Sequence, residues 1–169
     1  MNRLMKWASI ATIMLLAGLQ FVRPERTNPP IDATKTVEAY VQMPVEVSSI
    51  VGRACQDCHS HKTHWPWYSN TAPVSWFVID HVNHARKHLN FSNWNHADRH
   101  GPPLGTAQQL DKICKEVSGG GMPLGSYLLL HPEARISPRD AQVICEWSRL
   151  EQQRLASTQE EGLGSSARP

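Results

Sequence analysis

No excess of charge of either sign marks this chain: 17 Lys and Arg stand against 15 Asp and Glu, a formal net charge of +2 over 169 residues. That balance argues against a surface built to neutralise nucleic acid. No nucleophile–base pair or other catalytic constellation is visible. The strand–helix alternation of a thioredoxin fold is missing as well. Cysteine is scarce, with four residues, and the chain is long enough for one domain with a sizeable core plus appendages. What it does carry is nine His and six Trp, most of them between His59 and His100. Aromatic rings and imidazoles are the lining that a large, flat, apolar cofactor needs.

Two of the cysteines fall in Cys55-Gln56-Asp57-Cys58-His59, a C-x-x-C-H signature for covalent attachment of c-type haem. On a helix, positions 55, 58 and 59 share one face within about one turn. Both thiols could then form thioethers to the haem vinyl groups, with the imidazole pointing at the iron as proximal ligand. The pentapeptide alone leaves other readings open, since C-x-x-C can be half a zinc site or a dithiol redox pair.

Residues 1–22 look like an export signal, with Arg3 and Lys6 before an apolar run from Trp7 to Val22. As a helix that run is about 24 Å long, somewhat short of a bilayer core but able to span with snorkelling and local thinning. No small-residue cleavage site follows, and Arg3 and Lys6 favour an N-terminus in the cytoplasm. The expectation is one uncleaved transmembrane helix in a bacterial inner membrane, with the following domain in the periplasm, where c-type haem is attached.

The remaining chain divides in order. Residues 23–43 are a Pro-rich tether leading into the domain. A domain over 44–155 starts near Pro44 with an amphipathic helix that ends in the cysteine motif. Trp65, Trp67 and Tyr68 lie in a proline-interrupted loop, and a haem face is a natural partner for them, as is the core of a small domain. Pro73 opens a helix whose stripe is Val74, Phe77, Val78, His81, Val82, Ala85, His88 and Leu89. The segment from Asn90 to Leu104, with Gly101, Pro102 and Pro103, is loop-like. Thr106 reads as the cap of a helix over 107–117, closed by Gly119-Gly120-Gly121 and followed by Met122-Pro123. Ser137-Pro138-Arg139-Asp140 starts a last helix with Ala141, Ile144, Cys145 and Ser148 on one side. Residues 156–169 read as a disordered tail.

Beyond the pentapeptide, the chain resembles the small haem-binding domain proteins, a c-type-cytochrome-like family of bacterial envelopes. The residues that carry the resemblance are Cys55 to His59, Trp65-Pro-Trp-Tyr-Ser69, Ala72-Pro-Val-Ser-Trp76, Leu89-Asn-Phe-Ser92 with Trp94, Met122-Pro-Leu124, and Tyr127 through Ala134. They span roughly residues 40–150. The resemblance implies an all-α, cytochrome c-like domain around one covalent haem c and a redox role; it also favours the uncleaved anchor. The pair Cys114 and Cys145 maps to no motif of that family.

Met122, in a Gly-rich loop ahead of the last helix, is similar to the distal ligand of small cytochromes c and is the preferred sixth ligand. A thioether is a soft neutral donor that raises the potential relative to a second imidazole. His81, His84 or His88 is the alternative, and an open position a third. Cys114 and Cys145 are each on a predicted helix, and a disulfide between them would fit an oxidising compartment; two free thiols are the other reading, as is a four-cysteine zinc site. The expected function is a monohaem electron carrier serving a redox partner protein rather than a catalyst. A haem enzyme or small-ligand sensor with an open or labile sixth position is the other candidate.

Overall fold

A computed structural model describes residues 2–95 and 104–166, with the side chains of 159–166 left aside. Among the described residues every regular element is helical, so the all-α expectation holds. The loop expected around Gly101, Pro102 and Pro103 lies outside the described residues.

Helix α1 (Arg3–Leu19) has 17 residues and buries none of them. No described helix is long and apolar enough to cross a membrane, so the expectation of a transmembrane helix in 1–22 finds no support in the helix itself. The helix ends at a tertiary contact. Gln20 turns back so that its side chain donates to Ala72 O and accepts from Ala72 N–H, both at 3.0 Å. Phe21 and Val22 then close tight turns on Gly18 and Leu19. Seventeen residues at 1.5 Å each reach about 25 Å, against about 30 Å of hydrocarbon.

The tether is not loose. Trp76 Nε1 donates to Val22 O at 2.7 Å, and Asn28 Nδ2 to Thr63 O at 2.9 Å. Arg86, itself buried, donates to Thr27 O, Asn28 Oδ1, Ser60 O and Thr63 Oγ1 at 2.8–2.9 Å.

Helix α2 (Val45–Ala54) puts Val47, Ile50 and Val51 into the core, at the three- and four-residue spacing its sequence predicts. It kinks at Cys55, and the cysteine motif forms a separate turn, α3 (Gln56–His59). His59 N–H still bonds Cys55 O at 2.9 Å, so the i, i+4 relation survives. Helix α4 (Val74–His88) buries Ser75, Ile79, Val82 and Arg86. Most of its predicted stripe lies on another face, described below.

Helix α5 (Thr106–Ser118) contributes Leu110, Ile113 and Val117 to the core. Thr106 is not its cap: Gly105 holds that position and its N–H donates to Gln108 Oε1 at 3.2 Å. The Thr106 hydroxyl instead accepts from Trp94 Nε1. After α5, Gly120 takes a φ of 71° that favours glycine, and the chain folds back so that Gly121 and Met122 N–H both bond Glu116 O. Helix α6 (Gly125–Leu128) is one turn.

Helix α7 (Pro138–Ser166) begins as predicted, with Asp140 N–H on Ser137 Oγ and Ser137 N–H on Asp140 Oδ2. It runs to Ser166, into the 156–169 segment expected to be a disordered tail, of which residues 167–169 lie outside the described residues. Its inner side is Ile144, Trp147 and Ser148, so Trp147 is a core residue.

The core joins Val37, Val41, α2, Phe91, Trp94, α5 and α7. The loop from Leu89 to Trp94 ties these parts together: Phe91 N–H bonds His59 O, and Phe91 O accepts from Val37 N–H. A Cys114–Cys145 disulfide joins α5 to α7, which removes both residues from any zinc site.

Candidate functional site

Two clefts flank the cysteine motif. The larger, about 460 Å³, lies between α4 and α5 and has Cys55, His59 and Met122 among its lining residues. Its size falls in the range of cofactor sites. The smaller, about 150 Å³, holds Cys58 beside Tyr68, Phe77, Tyr127 and His131. His81 and Leu124 line both, so the two clefts meet there.

The stripe predicted on α4 forms one wall of this double cleft. Val74, Phe77, Val78, His81 and Val82 line the smaller part; His81, His84, Ala85, His88 and Leu89 line the larger. Phe77 is consequently 53% exposed. An apolar helix face left with open space before it is the shape expected of a face that covers a bound apolar group. Opposite it, α5 supplies Gln109, Lys112, Ile113, Glu116 and Val117.

His59 is oriented by backbone. Its Nδ1 lies 3.2 Å from Ala85 O and 3.1 Å from Leu89 O, at the C-terminal end of α4. Carbonyls only accept, so Nδ1 carries the proton and Nε2 is the ring's available donor atom for a metal. Burial holds this imidazole below its ordinary pKa, with the two carbonyls pulling the other way. The ring is therefore neutral at pH 7, as metal ligation requires.

Cys55 and Cys58 are unpaired thiols. Burial pushes Cys55 up to about 12 and Cys58 up to about 11. A dithiol oxidoreductase needs a stabilised thiolate, usually from a nearby cation or helix N-terminus; burial here works in the opposite direction. Two neutral thiols one helical turn apart, a neutral imidazole with Nε2 available, and a thioether in the same cleft form a donor set that fits haem. Among the described residues no group of three or more His, Cys, Asp or Glu forms a metal cluster.

The aromatic residues named from sequence part company. Tyr68 lines the smaller cleft, and its hydroxyl is 2.7 Å from His131 Nε2. Trp65 lines neither of these two clefts; its ring centre is 6.0 Å from the Arg86 guanidinium carbon. Trp67 is 76% exposed and also lines neither.

Tyr127 and His131, given no role by sequence reasoning, complete the smaller cleft. Their rings stack at 4.3 Å, Tyr127 donates to Asp57 Oδ2 at 2.9 Å, and His131 Nδ1 is 3.0 Å from Glu133 Oε1. Burial and the Asp57 carboxylate raise the Tyr127 pKa. Both residues lie in a segment that carried the family resemblance. The Ala85 and Leu89 carbonyls had no sequence signal, because a main-chain acceptor is independent of residue type.

The family model of the haem-binding domain matches residues 14–150. No curated protein and no solved structure matches the chain.

Proposed function

Because the chain belongs to the haem-binding domain family and is a haem-binding protein, we propose that it is a monohaem c-type cytochrome that carries single electrons. In this reading Cys55 and Cys58 hold haem c covalently, His59 is the proximal ligand and Met122 closes the sixth position. When bound, the group supplies a one-electron iron couple. The chain's contribution is to exclude water, orient His59 through the Ala85 and Leu89 carbonyls, and set the potential by ligand choice. The observation that carries the reading is the shared cleft: His59, with Nδ1 bonded to backbone, lines it together with Cys55 and Met122.

The same proposal puts α1 in the bacterial inner membrane, with the haem domain in the periplasm. Its support is that no residue of α1 is buried, with Leu4, Trp7 and Ile13 among its exposed apolar side chains. A shortfall of about 5 Å is one that local thinning and snorkelling of Lys6 and Arg23 absorb. The Cys114–Cys145 bond also suits an oxidising compartment.

A haem enzyme or ligand sensor is the second reading, favoured by His81, His84 and His88 lining the larger cleft. The ferric absorption spectrum separates the two. A far-red methionine–iron band, lost in Met122→Ala, is expected for the electron carrier; a high-spin wild-type spectrum supports the second reading. Haem stain that stays with the denatured chain is the expected sign of covalent attachment, and its absence after expression with a cytochrome-maturation system overturns it.

A further inference from the structure

A third cavity, of about 190 Å³, lies away from the haem cleft, where the chain leaves α1. Arg23 and Arg26 line it, together with Ser69, Asn70 and Ser75. No acidic residue is among its lining, and among the described residues neither arginine forms an ion pair. By water's share of liquid volume the space equals roughly six waters, enough for a tetrahedral oxyanion.

The segment that carries the two arginines is clamped at both ends. Gln20 and Val22 are bonded to Ala72 and Trp76 on one side, and Thr27 and Asn28 to Arg86 and Thr63 on the other. Arg23 Nε donates to Gln20 O at 2.9 Å, and Arg26 Nη1 to Ser69 Oγ at 3.3 Å. Each guanidinium has five N–H donors, so most of its donors remain for a ligand. Ser75 adds an independent sign. It is 3% exposed, sits in the first turn of α4, and its hydroxyl has no hydrogen-bond partner among the described residues. A buried hydroxyl without a partner is uncommon and calls for a missing one. The first turn of a 15-residue helix also favours negative charge.

We infer that this cavity binds a phosphate group, held by Arg23 and Arg26 with Ser75 and Asn70 completing its hydrogen bonds. Guanidinium forks match phosphate oxygens two at a time. The group comes either from free phosphate or from the headgroup of an anionic phospholipid; the second source rests on the proposal that α1 lies in the membrane. In that case the cavity, directly after α1, sits at headgroup level and fixes the haem domain against the bilayer surface.

Calorimetric titration of the full chain in detergent, with inorganic phosphate and separately with short-chain phosphatidylglycerol, tests this. Binding of phosphate above a chloride control is expected, weakened at least about tenfold by Arg23→Gln with Arg26→Gln. Ser75→Ala is expected to weaken it several-fold with an unchanged circular dichroism spectrum, since the hydroxyl it removes bonds nothing in the fold. Phosphatidylglycerol tighter than phosphate assigns the lipid as the source; phosphate alone, or equal binding, assigns the free anion. Binding of neither probe, or binding that survives both sets of substitutions, overturns the inference. The readout is independent of the haem spectrum, so failure of the cytochrome reading leaves this result interpretable.

Discussion

Arg86 shows how much of this molecule hangs on a single side chain. Its four hydrogen bonds join α4 to the cysteine-motif turn and to the tether, and burial lowers its pKa. Charged hydrogen bonds are each worth about 1.5–3 kcal/mol, and buried partners left unsatisfied add to the loss. Arg86→Gln is expected to cost roughly 3 kcal/mol in urea unfolding and to speed proteolysis between Arg23 and Thr27. Asp140 matters in a pH-dependent way. Backbone and hydroxyl bonds from Ser137, together with Arg53 at 2.7 Å, hold its carboxyl below the usual range. A depressed carboxylate pKa stabilises the fold above the unfolded value, near 4, and that contribution disappears as pH falls through the lower folded value. Asp140→Ala should therefore cost about 1 kcal/mol at pH 6, while its difference from the native chain should shrink steadily below about pH 4. Unfolding curves measured across that range check both statements.

Helix α4 serves two neighbours at once. Ser75, Ile79, Val82 and Arg86 are its buried residues, Arg86 fastening the tether, while Phe77, His81 and Ala85 look onto the clefts. Its three- and four-residue periodicity was legible, but what the stripe faced was not, since a core and a cofactor surface demand the same apolar residues. Helices α5 and α7 make the rigid wall behind the larger cleft, fastened by Cys114–Cys145. Cys145→Ser, which opens that loop, is expected to lower stability by about 3–4 kcal/mol on loop-closure grounds. The ferric spectrum of the variant should stay unchanged if the bond only supports the wall. Helix ends were legible where the cap is made by neighbours in sequence, as at Ser137 and Asp140. Thr106 misled because its hydroxyl serves Trp94, which is twelve positions away.

At the scale of the whole molecule, the double cleft is a gap between packed helices, which the haem fills in the proposed reading. Cys55→Ser with Cys58→Ser should remove covalent retention of haem and lower Tm by on the order of 10 °C, with increased binding of an apolar dye. A thermal melt of the variant beside the native protein is the check. The amino-acid order by itself determined the all-helical class and displayed the C-x-x-C-H motif, because helical periodicity and motif spacing are local properties of a few successive turns. It also contained the Met122 loop, through its glycines and the family resemblance. Three things waited for tertiary structure. Trp65 and Trp67 fell outside the two clefts at the motif, because a ring's neighbour depends on how the loop folds back. The apolar start became a 17-residue helix that ends at Leu19, because Gln20 found Ala72, 52 positions on. The orientation of His59 was decided by the carbonyls of Ala85 in α4 and of Leu89 just after it, and such atoms are present at every position in every sequence. Five residues suggested a ligand; only packing could say which ring nitrogen is bonded to backbone and which is left available.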